Sequence, residues 1–358
     1  MQTKLKVFTL ILCVISCSRI STDEYFNFPV REVSLPEPDE MLTPVIIAEN
    51  LSGFYNFWID DGYIWAELKS SNEGILLAAE LETGKEIGWY GKKGRGPNDF
   101  LSPVSFEVNG GHMLIFDVMN ARVSDIDLRA SIDDGSAVFS SIDTLNKGDY
   151  AYLTLMSVHK WNNSFLALDT GADPSTPDLY RAPDYVMYDI WTGQRTKEYA
   201  LFKSIPLRSS KKELKRVEVK SRLYSEDCLI PNDKGICFVM KYIPQINFFS
   251  PQSGTARGFR IKELSDKSLI PGFLHYNSVS AFGNYVYALY VGASVDDANS
   301  AQATTELHVF DFEGHFVHRY PLDGAYIDVR TDTSGLYLSG LEGIGEKFVY
   351  RINWDSID

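Results

Sequence analysis

Basic side chains gather at one place in an otherwise acidic chain. Lys203, Arg208, Lys211, Lys212, Lys215, Arg216, Lys220 and Arg222 share a stretch whose only counter-charges are Glu213 and Glu218. The full sequence has 358 residues and a formal net charge of −14, so this stretch is a local reversal of sign. A lip of this kind can steer an acidic glycan or an acidic protein surface; a solvated connection is the plainer reading. A second basic group, Lys92, Lys93 and Arg95, lies in the glycine-rich run 91–100. Gly94-x-Gly96 looks like a phosphate cradle, but such a loop needs a strand before it and a helix after it. Another strand pattern follows here. Nucleotide binding is set aside, and the glycines are assigned positive φ in a turn that Pro97 fixes. The expected ligand contacts are Lys93, Arg95, Asn98, Tyr180, Arg181, Lys211, Lys212, Arg216 and Arg222.

Catalytic patterns are absent. The six histidines, His112, His159, His275, His308, His315 and His318, form no H-E-x-x-H, and no G-x-S-x-G elbow occurs. His315 and His318 lie three apart on a strand end, point to opposite faces and make a poor metal pair. His159 falls on a strand near the centre of the fold and reads as a satisfied structural histidine. Asp296-Asp297 lacks the spacing of a calcium loop. Cys228 and Cys237 flank a turn and face each other across a hairpin, which allows a disulfide; free buried thiols are the alternative. No catalytic residue, metal ligand or cofactor is assigned. The net charge also argues against nucleic acid, whose phosphates call for clustered Lys and Arg.

The elements that must position these residues repeat. Polar turns at Asp60-Asp61-Gly62, Asn109-Gly110-Gly111, Trp161-Asn162-Asn163, Asn232–Gly235, Phe282-Gly283-Asn284 and Thr333-Ser334-Gly335 each join two apolar-rich strands. A period of roughly 40–50 residues in an all-strand pattern is the signature of propeller blades. Val104, Phe106 and Val108 alternate with Ser105 and Glu107, as in a half-buried strand, while 113–116 is wholly apolar. The fold expected is all-β: a six-bladed propeller with four strands per blade over residues 30–358. The last blade is one strand short, and 30–51, particularly 43–48, is strand-like and belongs to no other blade. Its pairing with the last blade closes the ring and removes an exposed edge.

The run 91–100 leads through Ser102-Pro103 into Phe116-Asp117-Val118-Met119-Asn120-Ala121-Arg122-Val123. This resembles the NHL-type repeat, with a G-x-G-P-x-x-F approach followed by an Asp and an Asn-x-Arg. Together with the N-terminus below, the chain resembles the six-bladed, TolB-like propeller lipoproteins of Bacteroidetes-type bacteria. The motif is confined to the join of blades 1 and 2.

Mostly short turns connect first to second and third to fourth strands. The long insertions, 89–103, 169–184, 203–224 and 291–304, fall on the opposite face. Function concentrates on loops held by a rigid scaffold, so this face is the expected binding surface for a glycan, a peptide or an envelope protein. The rival is a carbohydrate- or peptide-processing enzyme, a lyase or hydrolase, at the mouth of the axial channel. Convergence of two or more carboxylates or histidines there would favour it.

Lys4 and Lys6 precede an apolar stretch, 7–15, too short to span a bilayer. Val14-Ile15-Ser16-Cys17 follows and resembles a bacterial lipobox. The expectation is a signal peptide over 1–16, lipid on Cys17, a polar tether over 17–29, and an envelope protein whose membrane contact is the lipid alone.

Overall fold

The computed structural model describes residues 23, 25–48, 51, 54–68, 73–145, 155–169, 179–180, 184–203, 205–206, 224–232, 234–268, 270, 272–294, 297, 304–342 and 346–357. Six four-stranded sheets form a ring. Blade 1 holds Phe54–Asp60, Tyr63–Leu68, Leu76–Glu80 and Glu86–Tyr90. Blade 2 holds Pro103–Asn109, His112–Asp117, Arg122–Asp127 and Val138–Thr144. Blade 3 holds Leu155–Trp161, Ser164–Asp169, Asp184–Asp189 and Arg195–Tyr199. Tyr224–Ile230, Gly235–Met240, Gln245–Ser250 and Thr255–Ile261 make blade 4. Blade 5 uses Phe273–Phe282, Tyr285–Ser294, Glu306–Asp311 and Phe316–Pro321. Blade 6 uses Tyr326–Thr331, Leu336–Glu342 and Glu346–Ile352, with Val45–Ala48 as its outer strand.

The core is divided into wedges, one at each junction between blades. Trp65, Leu76 and Ala78 meet Met113, Ile115 and Ile126 between blades 1 and 2, for instance. Tyr337 and Val349 of blade 6 meet Phe57 and Ile64 of blade 1 where the ring closes. This explains the apolar runs: a second strand lies between neighbouring sheets and is covered on both faces, as in Gly235–Met240, buried throughout.

The N-terminal segment does more than close the ring. Val30–Val33 adds a parallel fifth strand to blade 4. On blade 5, Asp39 N donates to Arg319 O at 2.8 Å and Leu42 N to Pro321 O at 2.9 Å. Val45–Ala48 then completes blade 6. One segment thus covers the outer edges of three consecutive blades, where bare strand edges invite association. The tether expected through residue 29 is not a free leader over its last residues. Phe26 and Phe28 are buried in the wedge between blades 3 and 4, and Asn27 Nδ2 donates to Ala200 O and Phe202 O, both at 3.0 Å. Two aromatic side chains, each worth about 2–3 kcal/mol on burial, outweigh the polar character of their neighbours.

Blade 2 differs from the other blades in its third-to-fourth connection. A helix, Leu128–Asp134, fills the gap between those two strands. Asp127 caps it by accepting from Ala130 N at 2.8 Å, and Gly135 ends it with φ 72°.

Candidate functional site

The inner strands of all six blades enclose a cavity of about 590 Å³ along the axis. Two features of those strands build it. The first is a β-bulge near the start of every inner strand, at Tyr55–Asn56, Val104, Met156, Ser225, Asn277 and Ile327. Bulges re-aim a side chain and bend the strand. Because inner strands begin on the side of the long connections, these six positions ring that mouth. They divide it in two. Tyr55, Val104 and Met156, on blades 1 to 3, are apolar and 40%, 42% and 54% exposed. On blades 4 to 6 the ring is tied by hydrogen bonds: Ser225 Oγ donates to Asn277 O at 2.8 Å, and Asn277 Nδ2 to Ile327 O at 2.6 Å.

The second feature is a polar residue that ends the bulge on blade 1 and directly follows it on the other five: Asn56, Ser105, Ser157, Glu226, Ser278 and Asp328. Three of them fasten one blade to the next. Val158 N donates to Ser105 Oγ at 2.9 Å, Val279 N to Glu226 Oε2 at 3.0 Å, and Val329 N to Ser278 Oγ at 3.1 Å. Each bond satisfies a backbone donor of an inner strand, which has a neighbour in its own sheet on one side only.

Charged groups converge below this layer. His159 Nε2 is 3.1 Å from Asp227 Oδ1 and 2.9 Å from Ser157 Oγ. Its Nδ1 lies 3.3 Å from Glu107 Oε1, without an aligned hydrogen bond. Asp227 also accepts from Ser157 Oγ at 2.7 Å and from Tyr185 OH at 2.5 Å. Burial opposes a charge on His159, but Asp227 and Glu107 outweigh it and hold the imidazole pKa well above its ordinary value. Burial likewise opposes the Asp227 charge, and His159 with the Tyr185 and Ser157 hydroxyls outweighs it, leaving the carboxyl below its usual range. Across the cavity, Arg330 Nη2 is 2.9 Å from Glu226 Oε1, and its Nε donates to Phe57 O at 3.0 Å. Burial pushes the Glu226 carboxyl up, with Asp328 adding to the shift and Arg330 opposing it.

This arrangement limits the chemistry. Ser, His and two carboxylates are in contact, yet Ser157 gives its proton to Asp227, and Nε2 is shared between that carboxylate and the hydroxyl. An imidazolium held between carboxylates has no lone pair with which to accept a nucleophile's proton. The cluster joins blades 2, 3 and 4 through fixed charges, as the Arg330 contacts join blades 4, 6 and 1. Among the described residues no group of three or more His, Cys, Asp or Glu is placed to hold a metal ion.

The residues singled out in the sequence fall elsewhere. Lys93, Arg95 and Asn98 are exposed on the connection between blades 1 and 2 and do not line the cavity. Tyr180 is on a two-residue strand, Leu179–Tyr180, paired with Ile205–Pro206, which ties two of the long connections together. Arg181, Lys211, Lys212, Arg216, Arg222 and Cys17 lie outside the described residues. Cys228 and Cys237 are opposite each other as expected, and both are free.

The Gly-rich motif has a structural task. Asp117, fully buried, accepts from Leu101 N (2.6 Å), Ser102 N (3.2 Å), Met119 N (3.1 Å), Asn120 N (3.3 Å) and Asn120 Nδ2 (2.9 Å). Arg122 donates to Pro97 O at 2.6 Å and Asp99 O at 2.5 Å, with its guanidinium 5.1 Å from the Phe100 ring centroid. Positive φ explains Gly91, at 70°, but not Gly94 or Gly96. Those two make room for Asp99, whose Oδ2 would stand 2.3 Å and 2.7 Å from a Cβ at either position. The cradle is filled by the chain's own carboxylate.

The sequence matches no family model and no curated protein. Solved structures are similar in fold. A protein from Bacteroides fragilis described as exported aligns over 90% of this chain and 99% of its own, with TM-score 0.52 and 9% identity. BamB from Moraxella catarrhalis covers 85% and 86%, with TM-score 0.35 and 10% identity. A selenium-binding protein from Sulfolobus tokodaii covers 79% and 69%, with TM-score 0.44 and 11% identity. At these identities the B. fragilis likeness establishes the propeller fold and nothing about ligands.

Proposed function

We propose that this protein is an envelope binding module that receives a ligand or a protein partner at the long-loop mouth of its axial channel. The observation that carries the reading is the bulged ring, which holds Tyr55, Val104 and Met156 exposed on one arc and a hydrogen-bonded polar arc opposite. A soluble monomer has no folding reason to place three large apolar side chains at the same register on neighbouring blades. Leu101 and Met119, 41% and 60% exposed, extend the arc, and methionine adapts its shape to varied partners.

The lipobox-like Val14–Cys17 and the basic, then apolar, leader support an envelope location with lipid on Cys17. The G-x-G-P-x-x-F and Asn-x-Arg residues support kinship with NHL- and TolB-like propeller lipoproteins. Glycans, peptides and envelope proteins are the ligand classes in view, with Lys93, Arg95 and the 203–222 stretch as an outer lip that would favour acidic ones.

A thermal-shift screen against neutral glycans, acidic glycans and peptides tests the site, because a ligand that binds only the folded state must raise the melting temperature. The shift is expected to vanish in a Val104→Asp/Met156→Asp variant. A shift that survives there but is lost on neutralising Lys93, Arg95, Lys211, Lys212 and Arg216 would move the site to the outer lip. The contact of Ser157, His159 and Asp227 gives a hydrolase reading a specific basis. Turnover of any panel compound that His159→Gln abolishes, without loss of binding, would establish that reading instead.

A further inference from the structure

We propose that Cys228 and Cys237 form a reversible dithiol–disulfide site, oxidised by a small organic disulfide that reaches Cys228 through the axial cavity. The two residues are directly opposed on the first two strands of blade 4, and both are free. Directly opposed residues of antiparallel strands have Cα atoms about 4.5–5.5 Å apart, within the span of about 4.4–6.8 Å that a disulfide bridges. Closing the bond therefore needs rotation of side chains rather than movement of strands.

The two thiols differ in access. Cys237 is fully buried between blades, whereas Cys228 is half-buried and lines the cavity. Burial, and then the adjacent Cys228 thiol, push the Cys237 thiol well up, so it does not start the exchange. Cys228, which lines the cavity together with Arg330, is the thiol that a small disulfide entering there meets first.

The exchange balances in two steps. The Cys228 thiolate attacks one sulfur of the small disulfide, whose S–S bond breaks and releases one thiolate. Cys237 then gives up its proton and attacks Cys228 Sγ, expelling the second small thiolate. The protein loses two electrons, the reagent gains them, and both protons end on the released thiols. Because buried Cys237 deprotonates reluctantly, its attack on Cys228 is the slower of the two steps. The new bond forms one residue from Asp227, so the redox state and the ion pair to His159 share a strand.

Oxidised glutathione is the probe. The full chain is incubated with it, alkylated, and mapped by peptide mass spectrometry so that Cys13 and Cys17 are counted apart. Cys228 and Cys237 are expected to be lost together from the folded protein and to return together with reductant. Cys237→Ser, or Cys237→Val if the serine variant melts early, is expected to accumulate glutathione on Cys228. Full alkylation of both thiols after oxidation and unfolding would overturn the proposal. So would a folded Cys237 variant that takes up no glutathione, or a Cys228→Ser variant that takes it up on Cys237 equally fast.

Discussion

The junction of blades 1 and 2 and the channel wall of blades 2 to 4 are both built around a buried aspartate, and they speak very differently in the sequence. At the junction, Asp117 gathers five N–H donors from the connection between blades 1 and 2 and from the turn 118–121, and Arg122 pins that connection by its carbonyls. All the partners are within about two dozen residues, so the pattern is a readable motif. In the channel, Asp227 takes its donors from Ser157, His159 and Tyr185 on the neighbouring blade. Those partners are distant in sequence, and no motif announces them. The readable region fastens a loop; the quiet one faces the cavity.

The largest effect expected from this comparison is at the junction. Asp117→Ala strands several buried backbone donors and should cost about 4–5 kcal/mol in denaturant unfolding. The charges of the channel should be undisturbed, so cavity ligands should still bind whatever fraction remains folded. A cost under about 1 kcal/mol would mean that water serves those donors as well as the carboxylate does.

Asp227→Ala probes the quieter region. It leaves an imidazolium beside Glu107 alone and two hydroxyls without their acceptor, for an expected cost of about 3–4 kcal/mol. Asp227→Asn keeps the shape and separates charge from volume. If alanine and asparagine are equally mild, the channel cluster is not what holds blades 3 and 4 together, and the contrast with the junction fails.

These two aspartates also mark what a sequence reading could reach. The six-fold rhythm, the closing strand and the apolar second strands follow from local periodicity, so they were legible. The parallel strand on blade 4 was not, because Val30–Val33 is four residues long with no turn to fix its partner. His159 was legible as an inner-strand histidine, but its charge depends on Glu107 and Asp227, one blade away on either side. The polar residue at each bulge was a usable signal: Asn56, Ser105, Ser157, Glu226, Ser278 and Asp328 share a register once the blades are aligned on their turns. The basic residues stand out because sign reversals are visible in one dimension, and the described ones, Lys92, Lys93, Arg95 and Lys203, lie outside the cavity.

Acid sharpens the contrast between a histidine held charged and one held neutral. His159 has a raised pKa, so its contribution is fully present below the unfolded value of 6.5 and is lost as pH rises through the folded one. Asp227 has a lowered pKa, so its contribution is present above 3.8 and lost as pH falls through the folded value. His275 is opposite in sense to His159. Burial lowers it from 6.5 to about 4, so the unfolded chain binds the extra proton between those values and stability falls as pH falls. Going from about pH 7.5 to 4.5 should therefore leave the channel pair intact and remove about 2–3 kcal/mol through His275. His275→Asn should flatten that loss, whereas His159→Gln should leave it in place. If the two variants exchange behaviours, the assignment of charge between them is reversed.

The smallest effect on stability should accompany the largest effect on binding. Val104→Ser and Met156→Ser remove apolar surface that is already about half in water, and surface changes of this kind typically stay within about 0.5 kcal/mol. Both residues are on bulges, where the ladder is already interrupted, so truncating them breaks no ladder hydrogen bond. A site for a partner is the one setting in which such positions matter, because their apolar area is removed from water only when something covers it. With about 25 cal/mol per Å² of apolar surface buried, truncating two such side chains should weaken a complex by about 2 kcal/mol while melting stays unchanged. Equal losses in melting and binding would instead make the arc part of the fold, and the mouth would then resemble the junction: a place where the chain meets only itself.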